Sequence, residues 1–202
     1  MGASVSFGIE YAPEADDAVV GEGGVSAGAS KSYANGQGAR INVSYAGLSA
    51  GAYANEVKLD GGLSRAYMDQ DASDSTWFAN YTVGPVSFGY QVGGTDRGIA
   101  GSAAANNSSA KKVTTANGNF EFEKMSIAFN VNENLSISWG ELDETYDAQS
   151  NVKGGTEIAD VEMSSTSIQF AYTMGSMSIK GYQTDTDNPK WDSNAKSDTV
   201  TE

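Results

Sequence analysis

The sequence predicts an all-β protein, an antiparallel up-and-down transmembrane β-barrel of which about ten strands are present. Three observations predict it. Apolar and polar residues alternate over runs of strand length, so each run has one greasy and one polar face. Four of these runs fold back on themselves through tight turns, and long polar segments separate the resulting hairpins. The turns are short at one end and the connections long at the other, with about ten residues per strand, as in a transmembrane barrel; no apolar run approaches the ~20 residues of a spanning helix, which does not exclude one.

The elements follow in order. Ala3 to Tyr11 is a first strand, with Val5, Phe7, Ile9 and Tyr11 on one face and Ser4, Ser6, Gly8 and Glu10 on the other. Pro13 to Gly38 is rich in Gly, Ala, Ser and acid and reads as a long loop, with a short strand between Val25 and Tyr33. Ile41, Val43 and Tyr45 lead through Ala46-Gly47 to Leu48, Ala50 and Ala52. A polar stretch from Asn55 to Ser75 follows, with a short loop helix over Gly62 to Asp69 as its one helical candidate. Ala79, Tyr81 and Val83 lead through Gly84-Pro85 to Val86, Phe88, Tyr90 and Val92. Gly93 to Asn119 is a second long loop with a low-complexity centre, Ala103 to Ala110. Ile127, Phe129 and Val131 turn at Asn132-Glu133-Asn134 into Leu135, Ile137 and Trp139. Glu141 to Glu162 reads as an acidic loop. Ile168, Phe170, Tyr172 and Met174 turn at Gly175-Ser176 into Met177 and Ile179, and this hairpin ends near Thr184. Asp185 to Asp198 is a loop, and Thr199-Val200-Thr201 begins a further strand.

One place resists the pattern. Continuing the Ile127 phase backwards sets Glu121 and Glu123 on the apolar face and Phe120 and Phe122 on the polar face. Two readings remain open: a β-bulge near Lys124 that reverses the phase, or a strand whose outer part stands above the membrane.

Composition bounds the chemistry. The 202 residues form one domain, 1–202, with 24 Gly, 3 Pro, no Cys and no His. Without Cys there are no disulfides and no thiolate zinc sites. Without His there is no Ser-His-Asp or Cys-His catalysis and no His-ligated metal. The formal net charge of −14 argues against nucleic acid, which needs a basic face to displace phosphate counterions. It argues equally against a peripheral protein held on anionic lipid by basic residues. Gly21-Glu-Gly23-Gly24 is no dinucleotide fingerprint, since Ser26 stands where the third glycine belongs. Carboxylates are plentiful in the loops, but nothing sets two across a cleft, and no enzymatic activity is expected. No cofactor is expected either. Asp185, Asp187, Asn188 and Asp192 outline a loose calcium loop without the glycine and closing Glu of an EF-hand, and Asp69, Asp71 and Asp74 form a similar cluster. The chain opens on Met1-Gly2-Ala3-Ser4 without a signal-peptide pattern, and its first strand has no partner before it; a segment of a longer exported protein is the expectation.

Facing follows from the alternation. The apolar face presents the aromatics Tyr11, Tyr45, Tyr81, Phe88, Tyr90, Trp139, Phe170 and Tyr172 towards lipid. The opposite, lumenal face carries Glu10, Arg40, Asn42, Asn80, Gln91, Asn130, Gln169 and Lys180. Among the latter, Arg40 and Lys180 are the strand-internal cations that would set ion preference.

The segments Ser167 to Tyr182 and Tyr81 to Tyr90 look like the turn hairpins of Gram-negative general diffusion porins. The tail from Asp185 to Asp192, followed by Asp198 to Glu202, is similar to the last loop and final strand of the alphaproteobacterial type. The resemblance implies a trimer of sixteen-stranded barrels in the outer membrane through which small hydrophilic solutes and ions diffuse passively. The chain departs from that family in having too few strands and in stopping at Glu202 rather than at a terminal aromatic. The resemblance therefore implies a C-terminal portion that lacks the family's constriction loop. The competing fold is a secreted or cell-surface β-sandwich adhesion domain, which would bury the aromatic face in its core.

Overall fold

The computed structural model describes residues 2–13, 33–59, 72–96, 119–147 and 159–202. Ten strands follow one another in one sheet: β1 (Ser4–Ala12), β2 (Tyr33–Tyr45), β3 (Leu48–Leu59), β4 (Ala72–Val83), β5 (Val86–Asp96), β6 (Asn119–Asn130), β7 (Leu135–Asp147), β8 (Val161–Met174), β9 (Met177–Asp187) and β10 (Asp198–Thr201). Spatial order equals sequence order, and every neighbouring pair is antiparallel. The sheet is open, with β1 and β10 at its edges. It is a single layer, not the two packed sheets of a sandwich.

In such a meander alternate connections fall at the same end. The tight turns after Tyr45, Val83, Asn130 and Met174 share one end, and the long connections share the other. Local chemistry makes these turns. Ala46 (φ 46°) and Gly47 (φ 88°) are both left-handed, as a two-residue hairpin of matching twist requires. Gly84 (φ 58°) and Gly175 (φ 60°) open the next two-residue turns. At the third turn in chain order the Asn132 side-chain oxygen accepts the backbone N–H groups of Asn134 (2.8 Å) and Leu135 (3.0 Å).

The strands run further than the apolar runs that reveal them. Glu141 to Asp147 continues β7, and Val161 to Ser165 opens β8, so much of the expected acidic loop is paired strand. The last hairpin likewise continues to Asp187. Alternation persists there with its chemistry reversed, which is why an apolar periodicity does not detect it. The expected strand between Val25 and Tyr33 and the helix over Gly62 to Asp69 fall outside the described residues, apart from Tyr33, the first residue of β2.

Register resolves the Lys124 question. β6 pairs with β5 and with β7 without a shift, so no bulge reverses its phase. Glu121 and Glu123 stay on the apolar side of the sheet, and Phe120 and Phe122 on the polar side. Among the pairings, the irregularity occurs between Tyr33 and Gly36 of β2.

The turn glycines generate a stability test. A Cβ at Gly47 would collide with the Thr82 carbonyl oxygen, whereas one at Gly84 meets nothing within 4 Å. Gly84→Ala is expected to cost only the left-handed penalty, about 1–2 kcal/mol. Gly47→Ala is expected to cost more, because backbone must also move. Denaturant midpoints of the two variants in detergent check the order.

Candidate functional site: a two-faced sheet

Cross-strand partners share a face, so the register sorts the side chains of all ten strands. One row reads Phe7–Ile41–Ala52–Trp77–Val92–Glu123–Asp143–Ser164–Asp187. Nearer the turns another reads Tyr45–Leu48–Tyr81–Phe88–Ile127–Trp139–Ile168. These belong to the first face. Tyr11, Tyr45, Tyr81, Phe88, Tyr90, Trp139, Phe170 and Tyr172 all lie on it, and so does Trp77, whose ring packs against Tyr90 at 5.3 Å. Among the described residues, every exposed large hydrophobic side chain is on this face except Val131, Tyr182 and Val200. Exposure reaches 74% at Ile9 on the edge strand and is still 49% at Phe88, in the middle of the sheet. Nothing among the described residues covers the face.

Glu10, Arg40, Asn42, Asn80, Gln91, Asn130, Gln169 and Lys180 all lie on the second face. Its turn-side half is built from small and polar residues, as in the row Ser49–Asn80–Gly89–Ser126–Gly140–Ser167–Thr184. Side-chain hydrogen bonds bridge neighbouring strands here: Ser4 with Ser44 (2.7 Å), Thr82 with Ser87 (2.9 Å), and Thr184 donating to Ser167 (3.0 Å). The Gln91 amide donates to the Thr76 hydroxyl, which in turn donates to the Val92 carbonyl, each at 3.0 Å. Glycines let long side chains lie flat. Arg40 crosses Gly8, its Nε 2.7 Å from where a Cβ would stand, and the Phe78 and Phe122 rings lie equally close over Gly51 and Gly93.

Residues missed by the alternation argument sit on this second face. Lys124 is a third strand-internal cation, its ammonium 4.7 Å from the centre of the Phe122 ring. It borders a concavity of about 400 Å³ with Phe78, Asn80, Gln91, Ser126 and Ser165. The signal was available, since Lys124 has the same parity as Asn130, but the acidic neighbours on either side obscured it.

Towards the long-connection end the two faces exchange character. The first face turns acidic, with Glu56, Asp96, Glu121, Glu123, Glu141, Asp143, Asp147, Glu162, Asp185 and Asp187. The second turns apolar and packed. Val57, Ala72 and Tyr146 are buried there, the side-chain oxygen of Asn55 beside them accepts a hydrogen bond from the Asp74 backbone N–H (2.9 Å), and Phe120, Tyr146 and Trp191 form an aromatic cluster.

The carboxylates of the 185–192 segment do not converge. Asp185 accepts hydrogen bonds from Thr199 (2.6 Å) and Gln183 (3.1 Å), Asp187 accepts one from Ser197, and Asp192 caps its own turn at Asn194. Among the described residues no group of three acidic side chains is placed to hold a metal ion. Asp69 and Asp71 of the other cluster lie outside the described residues.

No protein-family model, curated protein or solved structure matches this chain.

The absence of native cysteine makes the faces separately addressable. In detergent, single cysteines replacing Asn80 or Gln169 are expected to react with a charged maleimide. Cysteines replacing Phe88 or Ile137 are expected to be protected by the micelle. Equal labelling rates at all four positions would contradict the division of faces.

Proposed function

We propose that the chain is a wall segment of an outer-membrane diffusion porin of a Gram-negative bacterium. Its uncovered face meets lipid and its small polar face meets a water-filled path for small hydrophilic solutes and ions. The observation that carries the reading is the apolar belt on the turn-side half of one face, set against small and polar residues on the other. A strand such as β8 contributes about seven residues to the belt, Ile168 to Met174, or ~24 Å at a rise of ~3.4 Å per residue. Tilted by ~35–45°, that run spans ~17–20 Å, the larger part of the ~25 Å apolar band of outer-membrane barrels. In hydrocarbon every backbone N–H and C=O needs a partner, so further strands pairing with β1 and β10 would close the wall.

No chemistry is required of such a protein. Selection rests on the width of the path and on charge. Arg40, Lys124 and Lys180 would lower the local concentration of cations within about a Debye length, ~8 Å at physiological salt. The parent assembly is proposed as a homotrimer, on the strength of the family resemblance alone.

Two measurements test the reading. The chain has three tryptophans; Trp77 and Trp139 are on the apolar face and Trp191 packs on the other. In vesicles, brominated lipid is expected to quench Trp77 and Trp139, and aqueous iodide to quench neither. Quenching of both by iodide alone would show that the face does not meet lipid. For the path, Arg40→Glu with Lys180→Glu in a closed, conducting assembly is expected to raise the cation-to-anion permeability ratio with little change in folding, since lumenal positions tolerate charge. Reversal potential under a salt gradient reads the ratio, and an unchanged value would place both residues away from the ion path.

A further inference from the structure

The connection between β9 and β10 does more than join neighbours. Adjacent antiparallel strands need a turn of only about two to five residues, yet this connection runs from 188 to 197. It folds back over the packed end of the second face. Asn188 donates its side-chain amide to the Glu162 carbonyl of β8 at 2.8 Å. The Trp191 indole N–H donates to the Glu144 carbonyl of β7 at 3.1 Å. The indole ring stands edge-on to Phe120 of β6 at 5.1 Å and 6.4 Å from Tyr146. From β9 to β6 is three strand spacings, or about 14 Å of wall.

The backbone of this segment is held out of its preferred conformations. Asn188 (φ 48°), Lys190 (φ 60°) and Trp191 (φ 52°) are all left-handed without being glycine. Such residues persist only where surrounding contacts over-determine them. Here those contacts are the Trp191 ring, its N–H and the Asn188 amide. Other hydrogen bonds of the segment, from Ser197 to Asp187 and from the Asn194 and Ala195 N–H groups to Asp192, tie it to the end of β9 and to itself; the Asn188 and Trp191 contacts are the ones that reach across β8, β7 and β6.

We infer that residues 188–197 form a strap latched by Trp191 over the mouth of the solute path, and that releasing the latch widens the path. The inference rests on the porin reading. Trp191 is a positioning residue: it holds the strap and touches no solute.

The test uses the conducting assembly that contains this chain. Trp191→Ala is expected to raise single-channel conductance. Trp191→Phe, which keeps a ring and loses the N–H, is expected to fall between it and the parent. Lys190→Gly, which relieves one left-handed residue and leaves the Trp191 and Asn188 contacts in place, is expected to leave conductance unchanged. In a Trp77→Phe, Trp139→Phe background Trp191 is the sole fluorophore, and its emission is expected to be blue-shifted and weakly quenched by iodide. Conductance of Trp191→Ala equal to that of the parent overturns the strap while leaving the pore. Should Trp191→Ala fail to insert, the inference stands or falls on Trp191→Phe and on the emission, where water-exposed emission from the parent fold overturns it. No conductance from the parent assembly overturns the porin reading itself.

Discussion

One apolar face has no cover within the described chain, and the rest of the structure depends on that. Fixing a residue's backbone costs about 1–2 kcal/mol, whereas burying a large apolar side chain contributes only about 1.5–3 kcal/mol. Among the described residues Val57, Ala72 and Tyr146 are the buried apolar side chains, so burial inside the sheet cannot offset the order of ten strands. The side chains that could offset it, from Phe7 and Ile41 through Phe88 to Phe170 and Ile179, all point the same way and stay exposed. On the porin reading, the lipid that covers that face would contribute to the folding free energy rather than bind afterwards. Backbone pairing sets the second constraint: neighbouring strands pair along their length, and the edges among the described residues are β1, β10 and the part of β9 before Tyr182 that the short β10 does not reach.

The exchange of polarity along the strands gives these constraints a shape. On β6 the first face passes from Phe129, Ile127 and Met125 to Glu123 and Glu121; on β7 it passes from Ile137 and Trp139 to Glu141 and Asp143. At the same level the second face passes from Ser126 and Gly140 to Phe122, Phe120 and Tyr146. Carboxylates belong against water and packed aromatics do not. On the porin reading, the boundary would mark the height at which the first face passes from lipid to water and at which packed side chains begin to cover the second. Tyr90 lies at this boundary, its hydroxyl engaged with the Glu123 carboxylate, as expected of an aromatic with one end apolar and the other wet.

Much of this was legible in the sequence, because a period of two survives any detail of packing. The four tight turns, the strand count and the side taken by each of the eight aromatics and eight polar residues follow from alternation and turn chemistry alone. What alternation concealed has physical causes. Glu141 to Asp147 looked like a loop because charge rather than apolarity occupied the outward positions, although Leu142, Glu144 and Tyr146 keep the inward phase. The flat packing of Phe78 on Gly51 and of Phe122 on Gly93 depends on which strands meet in which register, and one strand's sequence does not contain that. The Trp191 cluster joins residues far apart in the chain, and its sequence signal was an isolated Trp after Asn188-Pro189 in an otherwise polar segment.

The meander also dictates the order in which the sheet can assemble. Each strand's pairing partners are its neighbours in sequence, so every hairpin can form locally and then add to the next. Isolated hairpins form in about 1–10 μs, and no early step requires closing a loop longer than the connections themselves. The contact that breaks this rule is Trp191, which reaches past β8 and β7 to β6. It can form only after those strands are in register, so the aromatic cluster reports the completion of the C-terminal half of the sheet.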